Sequence, residues 1–97
     1  IRQLAELDFG DVPLFVLTQG AMTGRLRDNW FGHQDRLAAL SADSVHVVAD
    51  DSGHEIHIDA LPLVNAAVTE VVAAVAQGRP LEPCDRRFAR WQGSCRG

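Results

Sequence analysis

The chain has 97 residues, 46% of them hydrophobic and 23% charged, which is the composition of one small globular domain rather than a disordered segment. Its net charge is -4, carried by nine arginines and no lysine against thirteen acids. Residues 79–97 hold five arginines against Glu82 and Asp85, so the body before them is strongly acidic, a poor surface for nucleic acid. No apolar run approaches the roughly 20 residues of a membrane span, and no secretory leader is visible. We therefore expect no nucleic-acid partner and no membrane span, and a cytoplasmic location.

The first predicted element is the run VPLFVLT over residues 12–18, short and nearly continuously apolar, as in a strand covered on both faces. AMTGRLRDN follows as a loop, with Gly24 and Asn29 as its loop residues. WFGHQDRLAALS then has Trp30, Leu37 and Leu40 spaced for a helix, and Gly32 weakens its first turn. VHVVA, residues 45–49, is a second β-branched strand interrupted only by His46. After the loop DDSGHEIHID comes the clearest helix, LPLVNAAVTEVVAAVAQG. Pro62 suits its first turn, Val64, Val68, Val71 and Val75 share one face, Ala67 and Ala74 allow close approach to a sheet, and Gly78 stops it. The remainder, RPLEPCDRRFARWQGSCRG, docks as a short helix or stays loose. Its Cys84 and Cys95 are spaced as neither a redox pair nor a zinc knuckle; they pair with each other or stay as thiols.

Strands alternating with helices predict an α/β fold with a parallel sheet and right-handed crossovers. Two strands do not make a stable sheet alone, so the order strand-helix-strand-loop-helix plus tail reads as part of a larger α/β domain. The partner it calls for is either the missing N-terminal part of that domain or a self-associated copy.

Chemistry in such sheets collects beyond the carboxyl ends of the strands, here residues 50–59. Gly53 permits a tight turn, and His54 after it would stand at the rim, able to exchange a proton near neutrality. The acids Asp50, Asp51, Glu55 and Asp59 with His54 and His57 could ligate a metal. HEIH, however, lacks the H-E-x-x-H spacing that puts two histidines on one helix face, and no cofactor or metal is expected.

PLFVLTQG, WFGHQDRLAALS, VHVVADDSGHEIHID and ALPLVNAAVTEVV together resemble the C-terminal end of an α/β-hydrolase, over residues 12–80. The resemblance implies a partial α/β-hydrolase-like domain over residues 1–80 and a Pro/Arg-containing tail over 81–97. It aligns His54 with the family's catalytic histidine, which deprotonates a serine and then protonates the leaving group. Asp28, 26 residues before His54, takes the place of the family's acid; the alternative is an acid on an earlier strand, before Ile1. Asp28 also reads as an ordinary aspartate near a helix start, beside Arg25 or Arg27. The family's G-x-S-x-G nucleophile elbow is absent: Ser41, Ser44, Ser52 and Ser94 all lack that setting. The implied function is that of a hydrolase fragment with a histidine base and no nucleophile, inactive alone. The alternative is a small non-enzymatic α/β protein that acts by pairing.

Overall fold

The computed structural model describes residues 10–53 and 55–96, the side chain of His57 excepted. Strand β1 (Leu14–Gln19) leads through helix α1 (Gly24–Ala38) to strand β2 (Ser44–Ala49). A short helix α2 (Ile56–Asp59) turns into the long helix α3 (Leu61–Gln77), and a 3-10 helix (Arg86–Trp91) and strand β3 (Gly93–Cys95) follow. The sheet order is β1-β2-β3. β1 and β2 run parallel with Leu14 opposite Ser44, and β3 runs antiparallel to β2 with Val47 opposite Cys95. The described sheet is thus mixed, where an all-parallel one was expected. The antiparallel strand comes from the tail, which returns across the 3-10 helix instead of through a crossover helix.

Alternation along the strands sends successive side chains to opposite faces. Val45, Val47 and Ala49 join Leu63 and Ala74 of α3 with Leu81 and Phe88 in one buried cluster, against which Phe15 and Leu17 pack. On the other face, Val16, Thr18, His46 and Val48 lie buried, and Phe31, Gln34 and Asp35 of α1 cover that side. Helices therefore cover both faces, and this is why both strands read as near-continuous apolar runs.

One detail differs from expectation, and two settle or refine what was expected. Helix α1 begins at Gly24, so residues read as a loop, Asn29 among them, lie within it. Those low-propensity residues are tolerated because Phe31, one turn further on, is anchored at 2% exposure while Leu26 is left out at 70%. Second, the sheet-facing side of α3 is Leu63, Ala67 and Ala74, whereas Val68 and Val75 are more than half exposed. The alanines sit closest to the sheet because they have no bulk to hold it off. Third, the tail packs: Leu81 and Phe88 are buried, and Cys84 and Cys95 form a disulfide with Cα atoms 5.8 Å apart. Gly78 closes α3 with φ +63°, a left-handed cap available to glycine at little cost.

Candidate functional site at the sheet rim

The carboxyl ends of the two parallel strands meet directly. The Gly20 amide donates to the Ala49 carbonyl at 2.9 Å, and the Ala21 amide donates to the Ser52 carbonyl at 3.0 Å. A methyl group at position 20 would stand 2.7 Å from Ala49 O and from two backbone atoms of Asp50, so only glycine lets the two strand ends come this close.

From this junction the chain turns sharply. The Ser52 amide closes onto Ala49 O at 3.0 Å, and Ser52 is buried, its Oγ donating to Gly53 O at 3.0 Å. The Gly53 amide donates to Asp59 Oδ2 at 3.1 Å, so an α2 carboxylate holds the residue immediately before position 54. The aspartates that end β2 divide: Asp50 receives the Ser94 hydroxyl at 2.6 Å, tying the rim to β3, while Asp51 is exposed. Beside the turn opens a cavity of about 250 Å³ bordered by Asp51, Ser52, Asp59, Pro62, Arg90 and Trp91.

The proposed base, His54, lies outside the described residues. Asp28 is exposed on α1, and its charge helps raise the Arg96 guanidinium above its ordinary value. Among the described residues no serine pairs with a histidine: Ser41 binds backbone carbonyls near the start of β1, and Ser94 binds Asp50. Likewise, no group of three or more metal-ligating side chains converges among the described residues.

The structure does assemble a titratable cluster with no sequence signal. His46, 5% exposed at mid-strand, has Nε2 2.6 Å from Thr18 Oγ1 and Nδ1 3.4 Å from Asp35 Oδ1. A carboxylate only accepts, so Nδ1 carries the proton and Nε2 accepts from the Thr18 hydroxyl. That hydroxyl in turn accepts from Gln34 Nε2 at 3.1 Å. Arg96 grips Asp35 through two bonds of 2.9 Å. This pairing holds the Asp35 carboxyl below its usual range, with the Arg36 charge adding a smaller contribution. Burial pushes the His46 imidazole down, against the pull of Asp35, and so keeps the ring neutral. The order hydroxyl-imidazole-carboxylate is that of a nucleophilic triad, but Thr18 is fully buried and no substrate atom can reach it. Its role is to tie β1, β2, α1 and the tail together. Residues 11 positions apart on a helix and a strand share no motif; an unexplained histidine inside a β-branched run was the available hint.

No family model matches the chain, and no solved structure matches it. It is similar to the uncharacterized protein YqjL of Bacillus subtilis (strain 168), with 32% identity over 79 residues. That match takes in 78% of this chain and 31% of YqjL, so the chain spans about a third of the length of the curated relative it matches. No described helix is long and apolar enough to cross a membrane.

Proposed function

We propose that the chain is the histidine-bearing C-terminal segment of an α/β-hydrolase-type enzyme, a hydrolase of ester or amide bonds when complete. In this proposal His54 is the general base and Asp28 its orienting acid. The nucleophile and the oxyanion-binding amides come from polypeptide outside these 97 residues. The observation that carries the proposal is the rim: two parallel strands end side by side, and a buried serine-glycine turn leads from that junction directly to position 54. In open parallel sheets this is where reacting groups are presented. Beyond the short helix α2, a helix with Pro62 in its first turn follows, and this supports the reading.

The test has two parts. Hydrolysis of p-nitrophenyl acetate by the chain alone should equal that of its His54→Ala variant; a His54-dependent rate would overturn the claim that the nucleophile lies elsewhere. The coding sequence upstream, or an adjacent gene, should encode a G-x-S-x-G elbow, and its absence from both would overturn the hydrolase assignment. A cytoplasmic location belongs to the same proposal; the Cys84–Cys95 disulfide counts against it, since such a bond persists in oxidising compartments and a reducing cytoplasm would open it. Thiol alkylation in intact cells reports this directly.

A second reading, a non-enzymatic protein that acts by pairing, is favoured by one observation. Leu61, Val68, Val72 and Val75 are 50–63% exposed in one apolar strip along α3, a kind of patch that is often functional.

A further inference from the structure

The chain's two cysteines are joined, Cys84 half-buried against the core cluster and Cys95 exposed at the end of β3. An exchanging thiol therefore reaches the bond from the Cys95 side without prior unfolding, and exposed disulfides are the labile ones. The strand that the bond fastens has little hold of its own. Its ladder is three residues long, with Gly93 opposite Ala49, Ser94 opposite Val48 and Cys95 opposite Val47. Its other side-chain ties are polar and open to water: the Ser94–Asp50 bond is exposed, and the Asp35 carboxylate that Arg96 grips is 44% exposed. Upstream, Phe88 is 2% exposed and meets the Phe15 ring edge-on at 5.6 Å, so the core fixes the middle of the 3-10 helix whether or not the bond exists. The boundary between fixed and releasable chain falls at Gln92, which ends that helix with a left-handed φ of 59°, a strained conformation for a residue with a side chain. What moves beyond that boundary bears on the rim. The Asp50 amide donates to the Gln92 carbonyl at 2.9 Å, and the Asp50 carboxylate receives the Ser94 hydroxyl. Arg90, Trp91 and Gln92 form one wall of the cavity beside Ser52 and Asp59.

We propose that the Cys84–Cys95 bond is a redox latch on the rim cavity. While it is closed, β3 stays on β2 and the cavity wall stands. Once it is open, residues 92–96 lift from β2, Asp50 loses both of its ties, and the cavity opens on the Trp91 side. The co-reactant is a dithiol reductant. One of its thiolates attacks Cys95 Sγ; the S–S bond breaks, and Cys84 leaves as a thiolate and takes up a proton. The reductant's second thiolate then displaces Cys95 from the mixed disulfide, and the released Cys95 is protonated in turn. Two electrons pass from the dithiol to the chain, and the reductant departs as its own disulfide. Closing runs the same exchange backwards, with a disulfide as the electron acceptor. The proposal concerns the cavity as the fold builds it and stands whether or not position 54 carries a catalytic base.

Amide hydrogen exchange of the full chain, followed by nuclear magnetic resonance, compares the oxidised protein with the protein reduced by dithiothreitol. The Asp50 and Arg96 amides donate across the junction of β2 with the tail, to the Gln92 and His46 carbonyls. They should exchange about a hundredfold faster after reduction, the factor by which a closed loop of this size restrains the open segment. The Gly20 amide, which donates to Ala49 from the other side of β2, should keep its rate. In a Trp30→Phe background, acrylamide quenching of Trp91 should rise on reduction. In glutathione buffers the bond should be half open at a ratio between those of oxidising and reducing compartments. Oxidised glutathione should restore slow exchange, and Cys84→Ala/Cys95→Ala should reproduce the reduced protein. Equal acceleration at Gly20 would mean that the bond braces the whole fold and is no latch, and this would overturn the proposal. So would unchanged Asp50 and Arg96 amides, or Trp91 quenching that ignores the redox state. A bond that glutathione opens at no ratio would overturn it as well.

Discussion

The two edges of the sheet are finished by different means. On the β2 side, β3 has only three residues, yet it is fastened at several points. The Cys84–Cys95 bond anchors its end, Arg96 grips Asp35 through two hydrogen bonds, Ser94 binds Asp50, and the Arg96 amide donates to His46 O at 2.9 Å. On the β1 side, Phe15, Leu17 and the α3 valines border an apolar groove. A strand as short as β3 gains too little from its ladder to stay in place alone, so polar and covalent ties hold it. The β2 edge is held by polar and covalent ties, and the β1 side is marked by apolar packing against α3.

The largest effect should come from the closed edge. The disulfide spans eleven positions and encloses the 3-10 helix with its buried Phe88. A loop of that size is worth about 3 kcal/mol through the restricted unfolded chain. For a domain of this length that corresponds to a fall in melting temperature on the order of 10–20 °C. Thermal unfolding with and without dithiothreitol, and of the Cys84→Ala/Cys95→Ala variant, measures it. A shift of a degree or two would mean that the hydrogen-bonded ties alone hold β3, removing half of the contrast between the edges.

Next is Gly20→Ala, where the two parallel strands meet. The added methyl would sit 2.7 Å from three backbone atoms, which cannot swing aside as a side chain can. Overpacking of that kind costs about 1–3 kcal/mol. Chemical denaturation should show the loss, and the Ala21 and Ser52 amides should shift in nuclear magnetic resonance spectra while those of β3 stay put. If β3 amides move as far, the edges are coupled and do not behave independently.

These elements were unequally legible in the sequence. β1, β2 and α3 were expected within about two residues of their ends, because each is a strong apolar run bounded by Pro13, Asp43 or Gly78. The orientation of α3 was legible only in part: Ala67 and Ala74 were expected at the sheet and lie there, but with one ionisable residue in 17 the pattern does not say that Val68 and Val75, on the valine face, stay more than half exposed. β3 was invisible because GSC has neither alternation nor β-branched residues; its place is set by Cys95, Ser94 and Arg96 reaching partners 11 to 61 positions away. At the candidate site, the rim turn was legible from Gly53. Its clamp by Asp59 and the His46 cluster depend on contacts that only the fold creates.

The His46 cluster joins the closed edge to the central strand, and it gives that edge a pH dependence. Burial lowers the His46 pKa from its ordinary 6.5, so the unfolded chain binds the more protons as the pH falls past that value. The stabilisation is therefore present above pH 6.5 and is lost as the pH falls through the depressed folded value. Asp35, also lowered, by its Arg96 bonds first, adds a second loss below its ordinary 3.8. Stability measured in urea from pH 7.5 to 3 should decline in these two steps. His46→Gln should erase the first and leave the second, and Asp35→Asn should remove the second while loosening β3. A flat profile between pH 7 and 5 in the unsubstituted protein would show that the imidazole is not held neutral.

The smallest effect is expected at Asp59, which belongs to neither edge. Its carboxylate receives one partly exposed amide, that of Gly53, and replacing such a bond costs about 0.5–1.5 kcal/mol. Asp59→Ala should therefore lower the melting temperature by only a few degrees, on the order of 2–10 °C. Hydrogen exchange at the Gly53 amide should nonetheless quicken, because the bond that protects it is gone, while the β1 and β2 amides keep their rates. Asp59→Asn retains an acceptor oxygen and should restore much of the protection. If Gly53 exchanges equally slowly in all three proteins, the turn is held by Ser52 and the strand junction alone. The rim would then be a fixed consequence of Gly20's close approach, not a separately clamped loop.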